Sequence, residues 1–314
     1  VNQRAFVSHA QNGEDVVLWR ALHPVGVGTY VDVGANDPDY WSVTRAFYDR
    51  GWRGINIDPM PTYAALLRSR RPEDVNLEVA VSSHEGPVVL HAFDGSGLST
   101  LQDEVTARHD AAGFQHHDID VPARRLDDIL SENLAADADI HFLTIDVEGA
   151  ERDVLTTVDL SVWRPWVIVV ESTAPLSSEQ THSSWEGILE DANYLECLFD
   201  GLSRFYCAAE RYSEIGARLS YPACILDAFA TAEQVEVEAE RDKAQAELLH
   251  WRATALTKWA DTVASDGTMQ NGQFLNVIDV LQREIDDLRG STSWRVTGPL
   301  RAAKGAQLRL RAGR

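Results

Sequence analysis

Apolar positions along this chain switch between a period of two and a period near 3.6, and the switching sets out the expected elements. Tyr30, Val31 and Val33 form a short apolar run, and Gly34, Ala35 and Asn36 read as the turn that leaves it. A helix is expected over about 42–50, followed by a second apolar strand, Gly54-Ile55-Asn56-Ile57, that ends in Asp58. Upstream, residues 8–22 begin polar and become amphipathic. Val16, Leu18, Trp19 and Leu22 predict a short helix there, closed by Pro24 and Gly26.

The same alternation continues. Residues 62–70 read as a helix, 76–82 as a third strand and 88–93 as a strand with period two; Asp94-Gly95-Ser96-Gly97 then signals a loop. Residues 116–126 look extended and 126–134 helical. The buried strand 140–145 ends in Asp146-Val147-Glu148-Gly149, with a helix from about 150. Another buried strand, 166–170, ends at Glu171. A polar loop holding His182 precedes a helix over 184–192, and 194–199 with 204–209 bracket the hairpin signal Asp200-Gly201. Repeated β–α units followed by an antiparallel hairpin predict an α/β fold. Its sheet is mostly parallel, with seven strands and helices on both faces.

Past Phe229 the texture changes. Ala239, Asp242, Ala246, Leu249, Ala253, Leu256, Ala260 and Val263 recur at alternating three and four, as do Phe274, Ile278, Leu281, Ile285 and Leu288 after a break at 267–272. Heptad spacing predicts a C-terminal coiled coil or helical hairpin, with two amphipathic helices lying on the domain as the alternative. Three regions are expected: 1–229, a helical arm over 230–290 and a tail over 291–314.

Composition narrows the partners. The 314 residues carry 49 acidic and 28 basic side chains, a net charge of −21, which disfavours nucleic acid as the main substrate. The tail reverses the sign. Between 291 and 314 there are six basic residues and no acidic one, leaving 22 basic against 49 acidic residues elsewhere, a net of −27. With Trp294, Val296 and Leu300 interspersed, the tail reads either as a peripheral contact for an anionic membrane surface or assembly partner, or as a solvated extension. Three cysteines without CxxC spacing, and no apolar run of eighteen residues, suggest reduced buried thiols and a cytoplasmic location, peripheral to the inner membrane face at most.

Strand, turn, helix, strand and an acid about twenty positions past the turn make half of a nucleotide-binding unit. The glycines distinguish the cofactors. A dinucleotide pyrophosphate needs GxGxxG, whereas Val33-Gly34-Ala35-Asn36-Asp37-Pro38 has one glycine, with Asp32 and Asp37 to repel phosphate. S-adenosyl-L-methionine, with its sulfonium and ammonium and no phosphate, suits such a site better. Because ligands of open α/β sheets lie beyond the strands' carboxyl ends, Asp32 to Asn36, Asp58, Ser82, Asp146, Glu148 and Glu171 are expected around one pocket. Methyl transfer to a hydroxyl also needs a base, and Glu148, Glu171 and His182 are the candidates beside Asp146. A solvated loop position is the equal alternative for His182. His116-His117-Asp118 raises the question of a metal, but neighbouring residues of an extended segment point to opposite sides, so none is expected.

Six stretches together resemble the FkbM family of S-adenosylmethionine-dependent methyltransferases over roughly 8–229. They are Gln11-Asn-Gly-Glu-Asp15; Val31-Asp-Val-Gly-Ala-Asn36 with Ser42 and Thr44; Gly54-Ile-Asn-Ile-Asp-Pro59; Leu126-Asp-Asp-Ile-Leu130; Phe142-Leu-Thr-Ile-Asp-Val-Glu-Gly-Ala-Glu151; and Asp200-Gly-Leu-Ser-Arg-Phe-Tyr206. The resemblance implies a Rossmann-like fold and methylation of sugar or natural-product hydroxyls. It implies Asp32, Gly34 and Asn36 at the methionine part of the cofactor, Asp58 at the ribose, Val81 and Ser82 near the adenine, and Asp146 between cofactor and acceptor. Gln11, Ala35 and Ser42 complete the expected cofactor-binding set. Ser291 to Arg301 resembles segments that follow coiled coils in bacterial polysaccharide-assembly proteins. The function expected is an O-methyltransferase acting on a carbohydrate, in a cell-surface glycan or its lipid-linked precursor, with the arm available for self-association. An NAD-dependent sugar oxidoreductase and a non-catalytic methyltransferase-like scaffold are the rivals.

Overall fold

The computed structural model of the chain describes residues 6–84, 86–265, 271–291 and 294. It divides into two compact units, Val1–Thr231 and Ala232–Arg314. In chain order the first unit begins with β1 (Phe6–Ser8), α1 (Glu14–Leu22), β2 (Thr29–Val33), α2 (Arg45–Tyr48), β3 (Arg53–Ile57) and α3 (Pro61–Arg70). There follow β4 (Val75–Leu77), β5 (Ala80–Val81), β6 (Gly86–Ala92), α4 (Asp103–Ala111), β7 (His117–Arg124) and α5 (Leu126–Asn133). The remainder holds β8 (Phe142–Ile145), α6 (Glu151–Leu155), β9 (Val167–Glu171), α7 (Glu186–Asp191), β10 (Tyr194–Phe199), β11 (Ser203–Ala208), α8 (Ala217–Leu219) and β12 (Phe229–Thr231). The second unit contains α9 (Ala232–Ser265) and α10 (Asn271–Gly290).

The main sheet has the order β10-β11-β9-β8-β2-β3-β4. Pairings among β4, β3, β2, β8 and β9 are parallel, and β11 joins β9 and β10 antiparallel. The expected α/β architecture with a mostly parallel sheet is therefore present. Alternate residues of each strand feed different cores. Val31, Val33, Leu143, Ile145, Ile168 and Val170 pack with Leu126, Ile129 and Leu130 of α5, Val154 and Leu155 of α6 and Leu189 of α7. Tyr30, Phe142, Val167, Val169 and Phe205 face the other way, onto Val17, Leu18, Ala21 and Leu22 of α1, Phe47 of α2 and Leu219 of α8. On α1 those four residues make one stripe at helical spacing, and Glu14 and Asp15 in its first turn suit the positive end of the helix dipole.

Three departures from the sequence reading have physical causes. The extended run 76–82 is not one strand. Val75–Leu77 completes the main sheet, while Ala80–Val81 pairs with Ala123 and Arg124 in a separate sheet of order β5-β7-β6. Extended residues carry no label for the neighbour they pair with. The helix expected over 42–50 is the single turn Arg45–Tyr48. Helix α4 has no apolar stripe, burying only Val105, Thr106 and His109, so periodicity does not reveal it.

In the second unit, Trp251, Ala255 and Trp259 of α9 share a groove with Val280 and Leu281 of α10. The heptad positions Leu249 and Leu256 are instead 59% and 65% exposed. The groove thus uses a face of α9 beside the seam rather than the seam itself. The side chains of Val263, Phe274, Ile278 and Leu288, and the tail beyond Ser291 apart from Trp294, lie outside the described residues. Among the described residues no helix is long and apolar enough to cross a membrane. The three cysteines are free; Cys207 is buried, and Cys197 and Cys224 are partly buried.

Candidate active site

From β2 the chain steps outward through β3 and β4, and later fills the other side with β8 and β9. Strand order therefore reverses between β2 and β8, where an open α/β sheet leaves a crevice at its carboxyl edge. The turns leaving these two strands almost touch. Asp146 N–H donates to Val33 O at 2.9 Å, and Gly34 N–H to Ile57 O at 2.9 Å. A Cβ on Gly34 would lie 1.7 Å from Asp146 O, and its φ of +85° belongs to the left-handed region. Only glycine fits, and so the acids after both strands come to one place.

They border a cavity of about 640 Å³. Of the residues expected in a site, Gln11, Asp32, Gly34, Ala35, Asn36, Ser42, Asp58, Val81, Asp146, Glu148 and Glu171 line it. Ser82 and His182 do not. Ser82 is buried, and its hydroxyl donates to Asp153 Oδ2 at 2.7 Å, tying β5 to α6. His182 begins a short 3-10 turn, with Nε2 3.8 Å from Glu186. It does not line the cavity. Asp37 turns back to accept from the backbone N–H of Asp39 and Tyr40.

Each acid has its own environment. Asp58 accepts from Asn36 N–H and Met60 N–H, both at 2.8 Å. Burial still pushes its carboxyl up to about 7. Two backbone donors fix its orientation and leave a lone pair on each oxygen for a hydroxyl-bearing ligand. Asp32 accepts from Thr44 Oγ1 at 2.7 Å, and burial raises it to about 6. Behind it the fully buried guanidinium of Arg71 donates to Thr44 Oγ1 and Ser42 Oγ, both at 2.6 Å. Glu14, at the start of α1, is raised to about 8 by burial and by the charge of Asp200. Glu151 accepts from Gly149 N–H at 2.9 Å and is raised to about 7 by burial.

Asp146, Glu148 and Glu171 form the centre. One oxygen from each lies within 4.8 Å of the others. Desolvation raises all three. Repulsion from Asp146 and Glu148 adds to it at Glu171, which is pushed up to about 12. Asp146 is open to the cleft yet ringed by protein, while Oε2 of Glu148 and of Glu171 is buried without a hydrogen-bond partner. Glu148 also holds φ +52°, an uncommon conformation for a residue with a Cβ. The trio is suited to share protons or to face a cation; its all-oxygen donor set is of the kind hard divalent ions take.

Six carboxylates line the cavity (Glu14, Asp32, Asp58, Asp146, Glu148 and Glu171), and among the described lining residues there is no Lys, Arg or His. A pyrophosphate would meet no cationic side chain among these residues, which opposes NAD. A sulfonium and ammonium find a complementary field, so the residues present fit S-adenosylmethionine. Sequence reasoning did not place Glu14 or Arg71 at the site. Glu14 sits inside the Gln11–Asp15 stretch, where a signal existed. Arg71 sits at the end of an ordinary surface helix, where none did. The rim aromatics Tyr40 and Trp41, stacked with centroids 4.8 Å apart, were likewise unmarked.

The family model described as the methyltransferase FkbM domain matches residues 32–196. No curated protein matches the chain. A solved O-methyltransferase from Bacillus cereus, in complex with SAH, aligns with 64% of this chain and 84% of its own, at 10% identity and a TM-score of 0.33.

Proposed function

The chain belongs to the FkbM methyltransferase family, whose methyl donor is S-adenosylmethionine, and from that premise we propose an O-methyltransferase that acts on a sugar hydroxyl. The acceptor proposed is a cell-surface glycan or its lipid-linked precursor. The observation that carries the reading is the six-carboxylate cavity with no basic side chain among its described lining residues. The sugar is supported by the rim. Tyr40 and Trp41 are half exposed beside the cavity and offer flat apolar faces to the C–H face of a pyranose, with polar groups close by.

Bound in this cavity, S-adenosylmethionine supplies an electrophilic methyl group on a positively charged sulfur. The protein's part is binding, orientation and handling of one proton. Asp58, aimed by two backbone donors, holds the ribose hydroxyls. Asp32, steadied by Thr44, sets the negative field at the β2 turn. The acceptor hydroxyl loses its proton to a carboxylate oxygen of the Asp146, Glu148 and Glu171 trio, all three of which line the cavity. A cation beside the trio favours its ionised form, so a deprotonated carboxylate able to accept the proton is more populated when the donor is in place.

Calorimetry with S-adenosylhomocysteine tests the donor site. Saturable binding is expected, weakened about 10–100-fold by Asp58→Ala, which removes hydrogen bonds to a charged group. Heat indistinguishable from dilution would remove the reading. A panel of sugar and glycan acceptors, scored by mass gain of one methyl, tests the acceptor. Glu148→Gln should cut turnover by roughly 10²–10⁴-fold with S-adenosylhomocysteine affinity retained.

A further inference from the structure

Away from the cavity, the antiparallel pair β6–β7 carries a second cluster that methyl transfer does not use. His91 on β6 lies directly across from Asp118 on β7, and their Nδ1 and Oδ1 atoms are 2.7 Å apart. His116, one residue before β7, brings Nε2 to 3.7 Å from the same Asp118 oxygen, and the two imidazole centroids are 5.5 Å apart. His117, the neighbour that drew attention in the sequence, points elsewhere, with Nδ1 3.7 Å from Asp94. The partner of His116 is thus His91, twenty-five residues earlier and brought over by the pairing of β6 with β7.

We propose that His91 Nδ1, His116 Nε2 and Asp118 Oδ1 form a site for a first-row divalent transition metal, with zinc as the ion best suited. One atom from each of these three residues lies within 4.8 Å of the others. A tetrahedral zinc with bonds of about 2.0–2.1 Å sets neighbouring ligand atoms roughly 3.3 Å apart. The separations of 2.7 and 3.7 Å from the Asp118 oxygen bracket that value, and the two imidazoles bring their ligand atoms within 4.8 Å of each other.

The far nitrogens make the stronger argument. His91 Nε2 is 3.0 Å from Asp103 Oδ1, and His116 Nδ1 is 2.8 Å from Asp110 Oδ1. A carboxylate behind each ring holds a proton on the outer nitrogen and turns the inner lone pair toward the metal, which is how ligating histidines are ordinarily oriented. Two imidazoles and one carboxylate suit zinc over magnesium or calcium, which prefer all-oxygen sets. Asp118 is largely exposed, which leaves a fourth position to water.

The consequence concerns the cavity wall. Asp103 and Asp110 lie on α4 and His116 in the segment after it, whereas His91 and Asp118 lie on β6 and β7. The intervening segment supplies Ser96 to Leu101 and Phe114 to the cavity, and Thr100 donates to Glu148 O at 2.8 Å. A metal here would fasten that segment to the small sheet.

The test uses the full chain after chelator treatment, titrated with zinc chloride by calorimetry and with cobalt chloride by visible absorbance. One equivalent of zinc per chain, a tetrahedral cobalt spectrum and a raised melting temperature are expected. His91→Ala and His116→Gln should abolish the cobalt spectrum. Asp103→Asn, at an exposed position where folding is not at risk, should weaken zinc binding about 10–100-fold. Absence of saturable zinc binding overturns the proposal. So does binding that survives both histidine variants, or that is lost in Asp146→Asn instead, since that would place the ion in the cavity. S-adenosylhomocysteine affinity, measured on the same samples, reports separately on the methyl-transfer reading.

Discussion

At the scale of single residues, the site is defined by carboxyls held above their ordinary range. Burial raises Glu14 to about 8, Asp32 to about 6, and Asp58 and Glu151 to about 7. An acid raised on folding binds more protons folded than unfolded, so its stabilising contribution is full below the unfolded value near 4 and is lost as pH rises through 6 to 8. The general repulsion of a chain at −21 acts in the same direction. The ligand-free protein is therefore expected to melt roughly 5 °C or more lower at pH 8.5 than at pH 5.5 by scanning calorimetry. S-adenosylmethionine should recover more of that stability at the higher pH, because a cation prefers the ionised acids. A melting temperature that climbs with pH without ligand would contradict this account. Arg71 shows why the set is tolerated. Its buried guanidinium reaches Asp32 through Thr44, spreading positive charge behind the acids rather than into the cavity.

At the scale of elements, the decisive feature is the crossing of the turns after β2 and β8. The sequence marks Gly34 as the pivot of a strand–turn unit, and the structure shows what the glycine avoids, namely the carbonyl of Asp146, on the turn after a strand more than a hundred residues later. Gly34→Ala combines a collision with backbone and an unfavourable φ. It is expected to destabilise the first unit by at least about 3 kcal/mol, with loss of S-adenosylhomocysteine binding in whatever fraction remains folded. Chemical denaturation checks it; a midpoint within error of the parent would show that the two turns are free to separate. The antiparallel pair β6–β7 makes the same point. Its first strand was legible from alternation and its second as an extended run, but the pairing of His91 with Asp118 follows from register alone.

At the scale of the whole molecule, the first unit closes on itself. β12 pairs with β1 in parallel, Phe6 with Phe229 through Ser8 with Thr231, and Arg20 of α1 meets Asp227 at 3.0 Å. A chain ending at Thr231 keeps these pairings, so it is expected to fold and to bind S-adenosylhomocysteine like the full chain. The heptad seam of α9, with Leu249 and Leu256 exposed, is the surface we propose for self-association. Light scattering should then give a multiple of the chain mass for the full protein and a single copy for 6–231. Equal assembly states for both would remove that role.

Local pattern was enough for whatever depends on neighbours in the chain. It determined the α/β class, strands ending in acids, the lone glycine that disfavours a pyrophosphate, and the helical texture beyond 229. Spacing and side-chain type carry those properties, and both are written linearly. Tertiary structure alone decided that Glu14 joins the other acids in the cavity, that Ser82 and His182 stand outside it, that Arg71 lies behind Asp32, and that His116 faces His91 rather than His117. These depend on strand order, on register and on how far water is excluded, and such quantities arise only when distant segments are packed together.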